Sequence, residues 1–175
     1  MENKFTTIYK KNIWGSSGTG SKFSHDNKFF LKELRRHMDT YNLKTIGDIG
    51  CGDFEIMSHY ELIGEETYAG IDCVQFLMIE LILKNIDKNI KFICQDISKD
   101  IPIGYDIIIL KDVIQHWTDE DILLFLPQLL ANNKYVDKKY KYHPISIDKA
   151  PLDKFKNKII DIQHRRCKEY ILFSN

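Results

Sequence analysis

The stretch TIGDIGCGDFE, residues 45–55, decides the fold of this chain. Two glycines, Gly50 and Gly52, flank a cysteine directly after a short apolar run, and acidic residues stand before and after them. Glycine permits a positive φ and a close approach of the backbone to a ligand. The pattern is typical of a turn that binds a nucleotide, but Gly-x-Gly alone is too common to decide the matter. The rest of the chain has to supply the context.

The chain alternates between short apolar runs and longer amphipathic segments, which predicts βαβ units and a parallel sheet. Predicted strands cover 44–50, 67–72, 90–96 and 105–112, and predicted helices cover 24–41, 53–63, 73–86 and 118–133. A short fifth strand is expected after residue 133, and 157–163 with 168–174 predict a hairpin. The predicted fold class is α/β, a single-domain, Rossmann-like, doubly wound sheet. It is mostly parallel, with an antiparallel C-terminal edge hairpin.

Local signals mark several boundaries. Ser24 or Asp26 is expected to cap the first predicted helix, and Thr118 the last one. Pro127 lies inside the last helix and predicts a bend or a division there. Residues 1–23 are polar and include WGSSGT and GSK, so they predict a loop or lid, with a disordered leader as the alternative.

Composition excludes several classes of protein. The chain has 175 residues with 25 basic and 25 acidic side chains, so no global positive field favours a nucleic-acid partner. No apolar run approaches the length of a membrane span, and the N-terminus has no apolar core for a signal peptide. The four cysteines form no C-x-x-C pair, which disfavours zinc and a disulfide scaffold: Cys51, Cys73, Cys94 and Cys167. A reducing, cytoplasmic setting is expected, in a host cytoplasm if the chain is viral.

Three acids fall near the carboxyl ends of predicted strands, where open α/β sheets bind ligands: Asp48, Asp72 and Asp96. Asp72 follows Gly52 by twenty residues, the distance at which an acid meets ribose hydroxyls in dinucleotide folds. The position of the third dinucleotide glycine is Glu55, whose charge would repel a pyrophosphate. No P-loop sequence is present either. A cationic adenosine without phosphates, S-adenosylmethionine, is therefore the predicted cofactor.

DIGCGD, YAGID, FICQD and YDIIILKDVIQHW, in that order and spacing, resemble the class I S-adenosylmethionine-dependent methyltransferases. IWGSSGTGS ahead of KDVIQHW is similar to a small-molecule branch from microbial glycan and natural-product gene sets. The resemblance covers roughly residues 8–130. Residues 142–152 are similar to that branch's substrate loop, but His143 replaces its usual arginine and the preceding stretch is shortened.

The resemblance implies a role for each position within one domain over 1–175. Residues 1–23 would cover the cofactor, 24–133 would form its binding core, and 134–175 would be a shortened substrate loop with edge strands. Asp48, Gly50 and Gly52 would lie near the methionine part of the cofactor, and Asp72 would hold the ribose hydroxyls. Asp96 and Ile97 would meet the adenine, and Lys111 would face the methionine end. The lid over the cofactor would be formed by Trp14, Gly18, Gly20 and Ser21.

Each of these residues also has a simpler reading. Asp48 and Gly50 could form a plain strand-to-helix turn, and Asp96 could be a loop acid without a ligand. Trp14 could be an exposed anchor for a partner. The cysteines near the strand ends are interpreted as small packing residues.

Methyl transfer to a hydroxyl requires an aligned nucleophile and removal of its proton. Lys111, Asp112 and His116 lie within six residues, and a helical turn would place Asp112 and His116 on one face. A carboxylate that orients an imidazole makes a base near neutral pH. All three residues are therefore candidate catalytic residues, with a packing or capping role for His116 as the alternative. No cluster of metal ligands is visible, so no metal is expected.

The leading functional hypothesis is O-methylation of a small polar acceptor, such as a sugar or sugar nucleotide. The alternatives are methylation of a macromolecule and a non-catalytic module that binds the cofactor or a partner. The chain has no Asn/Asp-Pro-Pro-Tyr motif for flipped bases, which disfavours nucleic acid. The sequence leaves the oligomeric state open, a homodimer included.

Overall fold

The computed structural model describes residues 2–15, 17–18, 20–133, 135–139, 148–165 and 168–174. His143 and Cys167 lie outside the described residues. The strands are β1 Thr45–Ile49, β2 Thr67–Asp72, β3 Ile90–Cys94, β4 Ile107–Lys111, β5 Tyr135–Lys139, β6 Ile159–Arg165 and β7 Lys168–Ser174. The α-helices are α1 Glu2–Lys10, α2 His25–Thr40, α3 Gln75–Lys84 and α4 Asp119–Asn132.

The seven strands form one sheet in the order β3-β2-β1-β4-β5-β7-β6. Strands β1 to β5 are parallel to one another, while β7 is antiparallel to both β5 and β6. The chain moves outward from β1 to β3 on one side, then crosses back to β4 on the other. The gap between β1 and β4 is thus the point where the strand order reverses. The predicted fold class, including the antiparallel edge hairpin, is confirmed.

Both faces of the sheet are covered, which explains the continuous apolar run in β4. Ile107 and Ile109 belong to the apolar cluster that includes the buried side chains of α2 and α3. Ile108 and Leu110 belong to the cluster on the opposite face, which includes those of α4. Because successive side chains of a strand point to opposite faces, a strand between two helical layers must be apolar at every position.

The helix caps follow the sequence signals. The hydroxyl of Ser24 accepts a hydrogen bond from the backbone N–H of Asn27 at the start of α2. Thr118 and Asp121 form a reciprocal capping box at the start of α4. Of the bend or division predicted at Pro127, the division is wrong, since α4 is continuous through this residue. The buried apolar face of α4 on the sheet offsets the backbone hydrogen bond that proline lacks.

The predicted helix over 53–63 is also wrong. Only Met57–His59 forms a single turn of 3₁₀ helix in this stretch. Phe54 has a φ of 64° and Gly52 one of 58°, both in the left-handed region, which a right-handed helix does not allow. The residues after Gly52 therefore form turns, and no helix N-terminus faces the end of β1.

The N-terminal segment differs from the prediction as well, because residues 2–10 form a helix, α1, rather than a loop. Phe5 and Tyr9, one helical turn apart, pack partly buried against the core. The prediction of a loop rested on the glycine- and serine-rich composition after residue 14 and overlooked the four-residue spacing of Phe5 and Tyr9. Among the described helices, none has both the length and the apolar content to cross a bilayer.

Candidate active site

A pocket of about 560 Å³ lies at the carboxyl ends of the parallel strands. Gly50 follows β1, Asp72 ends β2, Asp96 follows β3 and Lys111 ends β4, and all four line the pocket. It therefore lies where the strand order reverses, the place at which open α/β sheets bind ligands.

The turn after β1 brings backbone close to the pocket. The N–H groups of Gly50 and Cys51 donate to the carbonyl of Ile71 on β2, at 2.7 and 3.3 Å. Gly50 has a φ of 71°, and a Cβ there would lie 2.6 Å from Cγ2 of Val113. Only glycine fits this position without displacing the loop that follows β4.

Asp72 lines the pocket and fastens the same turn. Its carboxylate accepts hydrogen bonds from the N–H of Gly52 at 3.2 Å and from that of Val74 at 3.0 Å. Burial is the main influence on the pKa of Asp72 and raises it, although the backbone donors oppose this shift. The acid is thus positioned rigidly at the end of β2.

Asp96 and Ile97 line the pocket beyond the end of β3. Burial raises the pKa of Asp96, but hydrogen bonds from the hydroxyl and N–H of Ser98, together with nearby positive charges, leave the pKa below its ordinary value. Ile97 is buried and adds an apolar surface beside this carboxylate.

Asp48 and Gly52 do not line the main pocket. Asp48 lies within β1, and its carboxylate accepts a 2.7 Å hydrogen bond from the hydroxyl of Tyr68 in the core. It borders a separate cavity of about 30 Å³. Burial raises the pKa of Asp48 to about 7, despite the opposing effects of Tyr68 and Lys111.

Lys111 and Asp112 form an ion pair of 2.5 Å beside the pocket, and the Lys111 ammonium also donates to the carbonyl of Gly20 at 2.9 Å. Asp112 has a φ of 57°, so the chain turns sharply after β4. Within the described part of the chain, Oδ1 of Asp112 is buried and has no hydrogen-bond partner. Such an oxygen carries a desolvation cost that a cationic ligand would relieve.

His116 lines the pocket near its exposed side, in the 3₁₀ turn Ile114–His116. Its ring stacks on that of Trp14, with centroids 5.6 Å apart, and meets Phe5 edge-on at 5.6 Å. Burial, followed by the charge of Lys4, lowers the pKa of His116. The predicted Asp112–His116 pair differs from the structure: among the described contacts no hydrogen bond joins them, because the turn is not α-helical and Asp112 bonds to Lys111.

The N-terminal segment forms one wall of the pocket. Besides Trp14, Gly18, Gly20 and Ser21, which the sequence singled out, this wall contains Ser17 and three large side chains that the sequence analysis missed: Phe5, Tyr9 and Ile13. Their spacing of four residues is the signal that could have identified them.

Ser17 fastens this wall to the turn after β1. Its hydroxyl accepts from the N–H of Asp53 at 2.9 Å and bonds to the hydroxyl of Tyr9 at 2.7 Å. Glu55 likewise accepts from the N–H of Phe23 at 3.2 Å. The carboxylate of Asp53 accepts from the N–H of Ser17 at 3.4 Å. Glu55, the acid expected to repel a pyrophosphate, therefore holds the N-terminal segment in place together with Asp53.

One group of ligand-type side chains could hold a metal ion within the described residues, and it does not line the pocket: Glu33, His37 and Asp161. Arg36 forms ion pairs with both acids of this group. The cluster thus joins α2 to β6 as a network of charges. Near the pocket, Cys51 and Cys73 are free thiols, and burial raises the pKa of both.

No protein-family model matches the sequence, and no curated protein matches it significantly. Several solved structures have a similar fold. The magnesium protoporphyrin IX methyltransferase of Synechocystis PCC 6803, with bound S-adenosylmethionine, has a TM-score of 0.61 and 16% identity over 85% of this chain and 77% of its own. The mitomycin 7-O-methyltransferase has a TM-score of 0.61 and 15% identity over 77% of this chain.

A 16S rRNA methylase is similar over 100% of this chain and 98% of its own, with a TM-score of 0.54 and 14% identity. This chain spans half the length of the mitomycin enzyme. Identities this low bear on the fold and not on the substrate. The chain has the fold of the class I S-adenosylmethionine-dependent methyltransferases.

Proposed function

We propose that this chain is an S-adenosylmethionine-dependent methyltransferase acting on a small polar acceptor. The observation that carries the proposal is the pocket at the strand ends, with acids from successive strands on one side and an aromatic N-terminal wall on the other. In this proposal residues 1–23 cover the cofactor, 24–133 bind it, and 134–175 complete the acceptor side of a single domain.

The charges of the pocket favour a cation. Three aspartates and one lysine line it, so the acids exceed the bases: Asp72, Asp96, Asp112 and Lys111. S-adenosylmethionine carries a sulfonium and an ammonium group, whereas NAD and ATP are anions. A pyrophosphate also needs free N–H groups at a helix N-terminus, and the turn after β1 leads into no α-helix.

The residues present fit this cofactor by position. Asp72 would accept from the ribose hydroxyls and Asp96 from the exocyclic amine of adenine, with Ile97 against the ring. Gly50 leaves room for the methionine part. The unpartnered Oδ1 of Asp112 is suited to an ammonium group, while Lys111 holds the other oxygen of that carboxylate. When bound, the cofactor supplies an electrophilic methyl group.

His116 is the proposed base. An acceptor hydroxyl would have to lose its proton as the methyl group is transferred to it, and the imidazole of His116 lies beside the pocket to accept that proton. The lowered pKa keeps this ring neutral at pH 7, as a base must be. Stacking on Trp14 would orient the imidazole of His116, which is the role that was predicted for Asp112. Sugars and sugar nucleotides are the acceptor class that the sequence motifs favour.

Methylation of RNA is the second candidate, because an rRNA methylase shares the fold over its whole length. The zero net charge of the chain disfavours it, since RNA binding depends on an excess of basic side chains. A non-catalytic binding module is the third. It would bind the cofactor but transfer no methyl group to any acceptor.

Calorimetric titration with S-adenosylmethionine tests the proposal. Asp72→Ala should weaken binding more than tenfold, because two ribose hydroxyls lose a charged partner worth roughly 1.5 to 3 kcal/mol. Asp100→Ala, which removes an exposed carboxylate outside the pocket, is the matched control and should bind like the wild type. No binding by the wild type, or equal binding by the Asp72 variant, would contradict the assignment.

Thermal unfolding with NAD, ATP or S-adenosylmethionine provides an independent comparison. Only S-adenosylmethionine should raise the melting temperature, because the pocket is acidic and the described turn after β1 leads into no α-helix. Stabilisation by NAD of equal size would favour a dinucleotide enzyme instead.

A further inference from the structure

Helix α3 is apolar on both of its sides. Leu77, Met78 and Leu81 are buried against the sheet. The opposite side and the residue just past the helix end expose five large apolar side chains, with exposed fractions of 38, 50, 51, 77 and 96%: Phe76, Ile79, Ile82, Leu83 and Ile86. A helix that is apolar all round is normally buried all round, so this side has the character of an interface.

The exposed area is sufficient for a dimer. Taking about 180 to 200 Å² for each fully exposed side chain, these fractions leave on the order of 550 Å² of apolar surface on one chain. Two copies that buried this surface against each other would remove about 1,100 Å² from water, just above the roughly 1,000 Å² that a specific interface needs. The interface would be small, so association in the micromolar range is expected.

The five exposed apolar side chains form a stripe along α3, and their spacing fits a second copy of the same helix. Phe76, Ile79 and Leu83 are spaced by three and four residues, as in the apolar seam of paired helices. Glu80 and Lys84 flank the stripe and form an ion pair of 2.5 Å with each other, so no unpaired charge on this helix opposes burial.

The charges around the stripe also favour a like partner. Asp87 and Lys88 follow the helix and balance each other in sign, as Glu80 and Lys84 do. An anionic membrane would require a clear excess of basic residues beside the apolar face, and a strongly charged protein partner would require the opposite charge. A balanced apolar stripe instead suits a two-fold interface, in which the same surface meets itself.

The position of α3 leaves the pocket accessible. The helix packs on β3, which is an edge of the sheet, and none of the five exposed side chains lines the pocket. We propose that two copies of this chain associate through the exposed face of α3 into a two-fold dimer with two open pockets. This proposal does not depend on the reaction that the pocket performs.

Sedimentation under reducing conditions, from about 1 to about 300 µM, tests the proposal. The wild type should pass from monomer to dimer across this range. Leu83→Glu places a charge in the centre of the stripe, and the dissociation constant should rise at least tenfold. Leu124→Glu is the matched control, because Leu124 is an exposed leucine of α4 and its replacement should leave the dissociation constant unchanged. Circular dichroism checks that both variants fold.

Three results would overturn the proposal. The wild type could remain monomeric at every concentration, or Leu83→Glu could associate as the wild type does. Alternatively, a monomeric wild type could sediment with vesicles of phosphatidylcholine and phosphatidylglycerol while Leu83→Glu did not. That last result would make the face a membrane contact instead of a dimer interface.

Discussion

Replacement of Asp48 by asparagine should stabilise the folded protein at neutral and alkaline pH. Asp48 is buried within β1, and burial raises its pKa to about 7 from an ordinary 3.8. Tyr68 donates a hydrogen bond to the carboxylate, and Lys111 attracts its charge, but neither compensates for lost hydration. Asparagine keeps an oxygen that can accept from Tyr68 and removes the charge.

The sign and size of the effect follow from the raised pKa. The folded state holds the Asp48 proton more tightly than the unfolded state does, so the free energy of unfolding decreases as the pH rises from 3.8 through about 7. At about 1.4 kcal/mol per pH unit, the complete loss corresponds to about 4 kcal/mol. Between pH 5 and pH 8 the advantage of Asp48→Asn should therefore grow by about 2.5 kcal/mol.

Urea unfolding of both proteins at pH 5, 6, 7 and 8, without cofactor, measures this difference directly. Other titrating groups are common to the two proteins and cancel in the comparison. Asp100→Asn, at an exposed carboxylate, is the matched control and should change the free energy of unfolding little. If the Asp48→Asn difference were independent of pH, or shrank as the pH rose, the burial argument would be wrong.

The remaining predictions concern the base, the N-terminal wall and a helix cap. His116→Ala should lower turnover by about 10²- to 10⁴-fold and leave the cofactor affinity within a few-fold of the wild type. Because the pKa of His116 is lowered, wild-type turnover should decline only below neutral pH. Equal losses of turnover and affinity would show that the residue is structural. Ser17→Ala should weaken cofactor binding about 5- to 30-fold in calorimetry, because its two hydrogen bonds hold the wall, whereas Ser58→Ala outside the wall should bind normally. Thr118→Ala should lower the free energy of unfolding by about 1 kcal/mol in urea without changing cofactor affinity; a smaller loss would mean that the capping box is solvent-compensated.

The sheet could be predicted from the sequence because its signals are local. Each parallel strand is a short, largely apolar run between turn residues, and β4 is apolar from Ile107 to Leu110 because both faces are covered. The error at 53–63 arose because a helical pattern of apolar residues cannot reveal that Phe54 adopts a left-handed conformation. The neighbouring residue Asp53 contacts a segment 36 residues away, and such a contact cannot be read from local spacing.

The pocket could be predicted in part because the residues at the ends of the strands are also marked by local sequence signals. Nine of the cofactor residues expected from the sequence line it: Trp14, Gly18, Gly20, Ser21, Gly50, Asp72, Asp96, Ile97 and Lys111. Asp48 and Gly52 do not line the pocket. An acid near the end of a strand can face either the ligand or the core, and the side chain of Asp48 faces the core, where it accepts a hydrogen bond from Tyr68. The orientation of Asp112 toward Lys111 likewise depends on a three-dimensional turn that spacing cannot show.

The N-terminal wall has a consequence for the rate at which molecules exchange. Phe5, Tyr9 and Trp14 form one wall of the pocket, and hydrogen bonds between Ser17 and Asp53 hold this wall against the turn after β1. We expect a molecule bound against this wall to leave faster when these hydrogen bonds open, so its residence time depends on local opening of the N-terminal segment as well as on its own contacts. Conversely, a ligand that fills the pocket should hold the N-terminal wall in place. The rate of amide hydrogen exchange in this segment would then report how much of the protein has an occupied pocket.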